Sequence, residues 1–510
     1  ALKEQKQIMS SNIGMDTLVQ KGKHDLHAVI VPFPAQSHVN VLMNLAQLLA
    51  IRGVFVTFVN TEWIYKRIVE ASKDGKSLVS EDDPELEQQG GKIRFLSIPD
   101  GLPPHHGRTS NLAELFVALQ KLGPSLEDLL STAGEKSLSF PPITFIVTDA
   151  FMSCTEEVAT NLKVPRVIFW PLCAAASVSQ CYANLLVSEG FIPVNVSEAK
   201  ISGKLITCLP GNLPPLKPTD LLSLYRAQDP SDILFKALLH ESEKQSKGDY
   251  TLVNTFEELE GRDAITALSL NGCPALAIGP LFLPNFLQRR TSACSLWEEE
   301  EGCLTWLDMQ RPGSVIYISF GSLAVKSKQQ LEQLALGLEN SGQPFLWVLR
   351  LDIAEGQAAI LPEGFEERTK KRALFVRWAP QVKVLAHPSV GLFLTHNGWN
   401  STLEAMSMGV PAVGFPYFGD QFLNCRFAKE VWKIGLDFED VDVDDQKVVM
   451  REEVEDVVRT MMRTVEGNKL KDNVLRLKEH ATNAILPGGS SFLNLNTFVE
   501  DMVMWKGFQS

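Results

Sequence analysis

A short stretch near residue 400 brings together residue types that bind phosphate. Residues 391–395, GLFLT, are typical of a buried strand, and residues 399–408, WNSTLEAMSM, are typical of a helix. Only three residues, HNG, separate the two segments. A strand that enters a helix through so tight a turn presents free N–H groups and the positive end of the helix dipole. Because His396, Asn400 and Ser401 add side-chain donors, the pattern predicts an anion site.

Glu404 extends this site in one interpretation and only caps the helix in another. It lies one helical turn after Asn400, where a carboxylate can accept both hydroxyls of a ribose. However, Ser401 and Glu404 also have the spacing of a capping box, in which the two side chains satisfy the helix start. The residues alone leave both interpretations open.

A histidine in the first strand-to-helix turn is the candidate general base. LHAVIVP, residues 26–32, predicts a buried strand, and an amphipathic helix that ends near Gly53 follows it. His38 lies where this helix begins, so the helix dipole favours the neutral ring that a base requires. The alternative is a polar residue that serves only the turn.

The acidic run EDVDVDD, residues 439–445, contains two DxD triplets, which occur in metal-dependent transferases. It follows a strand-like LDF and precedes a helix that begins near Arg451. We therefore predict a solvated loop, no metal site and no cofactor.

Short apolar strands alternate with amphipathic helices in both halves of the chain. In the first half, the candidate strands after LHAVIVP are VFVTFVN, IRFLSIP, ITFIVTD and RVIFW. In the second half they are SVIYISFG, PFLWVLR, VGLFLTH and VPAVGFP. This alternation predicts an α/β protein with two Rossmann-like, doubly wound lobes that face each other across a cleft.

The same pattern divides the chain. We predict a flexible lead-in at 1–25, a first lobe at 26–280, an interdomain linker at 281–297, a second lobe at 298–489 and a helix at 490–510 that returns to the first lobe.

Composition excludes several classes of protein. The 510 residues carry a formal net charge of −13, which disfavours binding to nucleic acid or to an anionic membrane surface. Eight scattered cysteines without a CxxC pair indicate reduced thiols rather than a disulfide frame or a zinc site. No secretory signal and no apolar run of membrane-spanning length is found. We therefore expect a monomer in the cytoplasm.

The stretch from Trp378 to Gln421 closely resembles the signature box of the plant secondary-product glycosyltransferases. The match includes WAPQ, the HNGWNS turn, Glu404 and the closing DQ. The resemblance implies a UDP-sugar-dependent, inverting glycosyltransferase of family 1 with the GT-B fold. In that fold the first lobe would bind the acceptor and the second would bind the UDP-sugar. No GxGxxG motif follows a strand, so the sequence gives no support to a dinucleotide-binding site as the alternative.

The resemblance implies a role for each matching donor-side residue. Trp378 would stack on uracil, while Ala379 and Gln381 would fix the base and ribose, and Glu404 would take the ribose hydroxyls. The diphosphate would be bound by His396, Asn400, Ser401 and Ser322. The transferred sugar would be held by Trp399, Asp420 and Gln421, and a closing glutamine in this family usually accompanies glucose.

The resemblance also pairs His38 with Asp149, which would orient the imidazole and stabilise its cation. The acceptor pocket would be lined by aromatic residues beside these turns, namely Phe33, Phe151, Trp170 and Phe418. Proline stands at 171, where many relatives carry a threonine that reaches the donor sugar. The predicted reaction is glucosyl transfer from UDP-glucose to a small, largely apolar acceptor such as a phenolic or terpenoid. Another UDP-sugar, or sugar binding without turnover, is the alternative.

Overall fold

The computed structural model describes residues 25–71, 93–108, 111–136, 141–227, 229–282, 295–321, 327–349, 361–438 and 448–509. Four features predicted from the sequence lie wholly or largely outside these ranges. They are the lead-in, most of the linker, Ser322 and the acidic run at 439–445.

The first sheet is parallel throughout and has seven strands in the described residues, in the order β3-β2-β1-β4-β5-β6-β7. Its strands are β1 His27–Val31, β2 Phe55–Thr61, β3 Ile93–Ile98, β4 Phe145–Asp149, β5 Arg166–Trp170, β6 Tyr250–Val253 and β7 Ala275–Ala277. The sequence analysis did not predict β6 and β7. Both are short, four and three residues, and β7 is simply Ala-Leu-Ala, which carries no strand periodicity.

The second sheet is also parallel, with six described strands in the order β10-β9-β8-β11-β12-β13. Its strands are β8 Val315–Ser319, β9 Phe345–Val348, β10 Ala373–Val376, β11 Val390–Thr395, β12 Ala412–Gly414 and β13 Gly435–Asp437. The sequence analysis did not predict β10. The architecture is the predicted pair of doubly wound lobes, so the α/β fold class is confirmed.

Helices cover both sheets. Those of the first lobe are Gln36–Ile51, Glu62–Ala71, Leu112–Leu119, Gly123–Lys136, Thr155–Leu162, Ala174–Cys181, Ala183–Ser188, Val196–Ser202, Ile233–Gln245, Glu257–Glu260 and Arg262–Thr266. Those of the second lobe are Gly302–Asp308, Lys328–Ser341, Phe365–Thr369, Gln381–Leu385, Trp399–Met408, Gln421–Arg426, Arg451–Arg463 and Val465–Ile485. A last helix, Ser490–Gln509, follows them.

Successive strand residues face opposite sides of each sheet, so each sheet has two cores. In β1, Ala28 and Ile30 join one buried cluster, whereas Val29 and Val31 join the other. The last helix packs on the first lobe, where the Phe498 ring centroid lies 5.6 Å from that of Phe145. No helix in the described ranges has the length and apolar character needed to cross a bilayer.

The strand order explains where a site forms. In the first sheet the chain changes direction between the neighbouring strands β1 and β4, and in the second between β8 and β11. Loops diverge at such a switch point and leave a crevice at the carboxyl ends of the strands. His38 follows β1 and Asp149 ends β4, while Gly321 follows β8 and His396 follows β11. The residues selected from the sequence therefore lie at the two switch points.

Candidate active site

A cleft of about 360 Å³ lies between the two lobes. Many predicted site residues line it. They are His38, Phe151, Trp378, Ala379, Gln381, His396, Trp399, Asn400, Ser401, Glu404, Phe418, Asp420 and Gln421. Thus the structure brings both predicted ends of the site into one cavity.

His38 and Asp149 form a hydrogen-bonded pair at the first switch point. His38 Nδ1 lies 2.7 Å from Asp149 Oδ2, and the side chains are 18 % and 0 % exposed. The other carboxylate oxygen accepts from the backbone N–H of Phe151 at 3.1 Å. A carboxylate accepts only, so His38 donates through Nδ1 and its Nε2 keeps the lone pair that a general base needs.

Three of the four predicted acceptor residues form one aromatic cluster with His38. The Phe33 ring centroid lies 5.2 Å from that of His38, and Phe151 lies 6.1 Å from both His38 and Trp170. Phe151 and Phe418 line the cleft, but Phe33 and Trp170 lie behind the surface. Trp170 is only 1 % exposed, because it occupies the end of central strand β5. Phe33 and Trp170 both pack next to Phe151, and the acceptor-binding role of all four residues stays a prediction.

At the second switch point, the turn after β11 is as short as predicted, and the helix Trp399–Met408 begins directly after Gly398. The His396 ring packs against two glycine backbones. A Cβ at Gly321 or at Gly398 would lie 2.6 Å from His396 Nε2, so any side chain at either position would displace the imidazole. The turn therefore presents the imidazole and the free N–H end of the helix to the same side of the cleft.

Asn400 connects this helix to the catalytic turn. Its Nδ2 donates to the backbone carbonyl of Ser37 at 2.8 Å, one residue before His38. Its Oδ1 accepts from Asn254 Nδ2 at 3.3 Å. The donor helix and the candidate base are thus joined by a direct hydrogen bond between the lobes.

Glu404 does not cap the helix, so the capping-box alternative is wrong. The helix begins two residues before Ser401 and has no side-chain cap. Instead, Gln381 Nε2 donates to Ser401 Oγ at 2.9 Å and to Glu404 Oε2 at 2.8 Å. Desolvation in the cleft raises the pKa of Glu404 to about 7, and the Gln381 bond opposes that rise. Gln381, which was expected at the base and ribose, here holds Glu404.

The predicted base platform is backed by a second tryptophan that the sequence analysis did not select. The ring centroids of Trp378 and Trp297 lie 4.6 Å apart at an interplanar angle of 33°. The guanidinium carbon of Arg67, from the first lobe, lies 5.4 Å from the Trp297 ring centroid. One face of Trp378 is therefore supported by residues from outside the signature stretch.

The three residues expected at the sugar differ in the hydrogen-bonding groups that they can present to it. Trp399 is 3 % exposed, and its indole N–H donates to the carbonyl of Asn254 at 2.7 Å, so this donor is already used. Gln421 Oε1 accepts from Tyr417 N and Phe418 N, both at 2.8 Å, which leaves its NH₂ group to donate. Desolvation raises the pKa of Asp420 to about 6, while a hydrogen bond from Asn424 and the nearby His38 lower it.

The first lobe contributes lining residues that the sequence analysis missed. Gln36, Asn40 and Asn44 line the cleft from one face of the first helix. Their four-residue spacing, which places three amide side chains on one face of the helix, was a usable signal. Leu222 and Leu224 also line the cleft, but they lie in an irregular segment that carries no such signal.

Pro171 lines the cleft, so the departure noted in the sequence affects the site itself. The helix Ala174–Cys181 begins just after it, but its first N–H groups do not point to an open anion site. The Glu260 carboxylate accepts from Ala174 N at 2.8 Å and from Ala175 N at 3.3 Å. Neither a threonine hydroxyl nor this helix end is available to the donor sugar.

Two parallel-sheet lobes, a paired histidine on one and an uncapped helix N-terminus on the other are the arrangement of a nucleotide-sugar-dependent glycosyltransferase of the GT-B class. Comparisons with known proteins agree. The family model described as UDP-glucoronosyl and UDP-glucosyl transferase matches residues 280–487, and a glycosyltransferase N-terminal domain model matches residues 24–80.

Relatives of full length match as well. The chain is 38 % identical to 7-deoxyloganetin glucosyltransferase of Gardenia jasminoides, over 93 % of this chain and 97 % of that protein. It is 36 % identical to (R)-mandelonitrile beta-glucosyltransferase of Prunus dulcis, over 94 % and 98 %. The chain therefore belongs to the plant UDP-glycosyltransferase family, and the predicted family and enzyme class are confirmed.

Solved structures share the fold over nearly the whole chain. An anthocyanidin 3-O-glucosyltransferase in complex with UDP matches with a TM-score of 0.77 and 28 % identity, covering 95 % of this chain and 100 % of that one. UGT2 of Phytolacca americana, complexed with UDP-2fluoro-glucose and pterostilbene, matches with a TM-score of 0.73 and 27 % identity, covering 94 % and 99 %.

Proposed function

We propose that this enzyme transfers glucose from UDP-glucose to a hydroxyl of a small, largely apolar acceptor, with inversion at the anomeric carbon. The observation that carries the proposal is the His38–Asp149 pair, which faces the same cleft as the free end of the helix Trp399–Met408. A base for the acceptor and an anion site for the leaving group thus lie on opposite walls.

In the proposed step, the acceptor oxygen attacks C1 of the sugar while His38 Nε2 takes the hydroxyl proton. The C1–O bond to the diphosphate breaks, and its electron pair leaves on the β-phosphate oxygen of UDP. The charge that develops there is met by His396, Ser401 and the helix end, with Asn400 beside them. Asp149 stabilises the imidazolium that forms. One displacement without a covalent intermediate inverts the anomeric centre.

The donor is held along the second lobe in this proposal. Trp378 stacks on uracil, Glu404 accepts the ribose hydroxyls, and Asp420 and Gln421 bind the sugar. Gln421 retains a free NH₂ group for a sugar hydroxyl. The names of two relatives as glucosyltransferases support glucose as the donor sugar. Two relatives are named as glucosyltransferases of 7-deoxyloganetin and (R)-mandelonitrile, which supports a small acceptor for this enzyme.

The acceptor pocket is proposed beside His38. Its surface consists of Phe151, Phe418, Leu222, Leu224 and Pro171. A wall of this composition suits a compact apolar molecule whose hydroxyl reaches the imidazole, because each apolar contact removes hydrocarbon surface from water.

We also propose that the enzyme works without a metal, as a cytoplasmic monomer. The helix end and His396 supply the positive potential that a diphosphate needs. The seven cysteines in the described ranges are all free thiols, which supports a reducing compartment. Turnover should persist in excess chelator, whereas loss that magnesium or manganese restores would contradict the metal-free mechanism.

The central experiment is a screen of UDP-glucose, UDP-galactose and UDP-xylose against phenolic and terpenoid alcohols, followed by product mass and anomeric configuration. We expect a β-glucoside from α-linked UDP-glucose. Retention of configuration would contradict the single displacement, and preference for another donor would assign that sugar instead. Donor binding without any product across the panel would favour a nucleotide-sugar-binding protein.

A further inference from the structure

Two segments, one from each lobe, meet at the rim of the cleft. Residues 215–226 of the first lobe form the clasp segment, and residues 417–421 of the second form the sugar loop. Ser223 N donates to the carbonyl of Gly419 at 3.0 Å, and Gly419 N donates to Ser223 Oγ at 2.7 Å. The two residues thus exchange a reciprocal pair of hydrogen bonds between the lobes.

Contacts on either side reinforce this pair. Arg426 forms an ion pair with Asp220, which is 5 % exposed, and also donates to the carbonyl of Pro215 at 3.0 Å. The guanidinium carbon of Arg226 lies 4.2 Å from the ring centroid of Phe422. These contacts flank Ser223 on the first lobe and follow Gly419 on the second, so the two segments share several contacts rather than one.

The sugar loop also has anchors within its own lobe, where Asn424 Nδ2 donates to Asp420 Oδ2 at 2.7 Å. Within the loop, Gln421 Oε1 accepts from Tyr417 N and Phe418 N. Gly419 itself has a φ of +64°, a left-handed conformation that suits glycine. Its position is held by Ser223 from the other lobe. Asp420 and Gln421, the candidate sugar ligands, follow directly after it in the chain.

We propose that Ser223 is a positioning residue for the transferred sugar: it holds Gly419 so that Asp420 and Gln421 face the sugar. This inference rests on the proposed function of that cleft. Leu222 and Leu224, on either side of Ser223, line the cleft, so the segment that borders the acceptor space also positions the donor sugar.

The test compares two ligands that differ only in the sugar. Ser223→Ala removes the hydroxyl that accepts from Gly419 but keeps the backbone bond. A hydrogen bond is worth about twofold to tenfold in binding, so we expect UDP-glucose affinity to fall by that factor, measured by calorimetry without acceptor. UDP affinity should stay within about twofold, because UDP has no sugar to misplace. The preference for UDP-glucose over UDP-galactose should narrow.

Two variants separate positioning from folding. Ser223→Thr retains the hydroxyl and should restore UDP-glucose affinity. Ser231→Ala removes an exposed serine outside the cleft and should match the wild-type enzyme. Equal losses of UDP and UDP-glucose affinity, or no loss of either, would overturn the proposal.

The outcome is distinguishable from failure of the proposed function. If the wild-type enzyme transfers no glucose in the donor screen, the proposed function fails before Ser223 is tested. If it transfers glucose and Ser223→Ala binds UDP-glucose normally, only the role of Ser223 is refuted. Should the alanine variant unfold, Ser223→Cys replaces it in the experiment. Its preference for UDP-glucose over UDP-galactose is then compared with that of Ser223→Thr.

Discussion

The carboxylate of Asp149 links two donors, His38 Nδ1 at 2.7 Å and the backbone N–H of Phe151 at 3.1 Å. This arrangement fixes the orientation of any side chain that replaces Asp149. An asparagine must direct its oxygen to the Phe151 N–H, so its NH₂ group faces His38. The imidazole would then accept at Nδ1 and carry its proton at Nε2, where a base needs a lone pair.

We therefore predict that Asp149→Asn lowers kcat about as much as His38→Ala, on the order of 10²–10⁴-fold. The double variant should be little worse than either single variant, because both remove the same base. An acceptor already ionised at the assay pH should recover much of the loss. Asp263→Asn, at an exposed position of the same lobe, is the control. Multiplicative losses in well-folded variants would mean that the two residues act independently.

Gln421→His tests sugar choice. Histidine changes the hydrogen-bonding group that faces the sugar. We therefore expect the ratio of kcat/KM values for UDP-glucose and UDP-galactose to shift about tenfold toward galactose. The Kd of UDP should stay nearly constant. Gln310→His, away from the cleft in the same lobe, serves as the matched substitution. If UDP affinity falls as sharply as glucose transfer, Gln421 acts through the Tyr417–Phe418 backbone alone.

The raised pKa of Glu404 predicts that nucleoside binding depends on pH. Its pKa is raised to about 7, so the carboxylate that accepts ribose hydroxyls is lost as pH falls through 7. Uridine is the right probe, since it has no phosphate that titrates in this range. Its affinity should fall by up to about tenfold from pH 8 to pH 6, measured by calorimetry. Glu404→Gln should weaken uridine binding at pH 8 and flatten the profile. A profile that remains steep in this variant would assign the titration to another group.

Trp297 should support the base platform. Removing it by Trp297→Ala leaves one face of Trp378 without its stacking partner, and aromatic pairs are worth about 0.5–1.5 kcal/mol. We expect uridine and UDP to bind about twofold to tenfold more weakly, with phenylalanine at 297 recovering most of the affinity. Trp505→Ala, on the last helix and 38 % exposed, is the matched control. Unchanged nucleotide affinity in Trp297→Ala would exclude a role for the stack.

Much of this site was predictable because its residues are close in sequence. The strand, the turn and the helix around residues 391–408 are local structures, and local periodicity and glycine position identify them. Two parallel sheets followed from the alternation of strands and helices. Even the first-lobe polar residues Gln36, Asn40 and Asn44 had a helical spacing that could have been used.

Other features required the folded chain. The capping-box spacing of Ser401 and Glu404 was genuine in the sequence, yet Gln381 takes both side chains in the structure. Aromatic identity alone could not show that Trp170 would be covered while Phe418 lines the cleft, because exposure depends on which neighbours pack over each ring. The short strands β6, β7 and β10 form because neighbouring strands offer hydrogen bonds, which their own residues do not reveal.

By itself, then, the sequence determined the two-lobed fold, the helix end proposed to bind phosphate and the candidate base, since each depends on strand–turn–helix units. The tertiary structure decided the contacts between residues far apart in the chain. His38 and Asp149 meet because β1 and β4 are neighbours in the sheet, although 111 positions separate them. Ser223 and Gly419 meet only because the two lobes close on each other. Such contacts depend on how sheets and lobes pack, and no local pattern in the chain encodes which partner will be there.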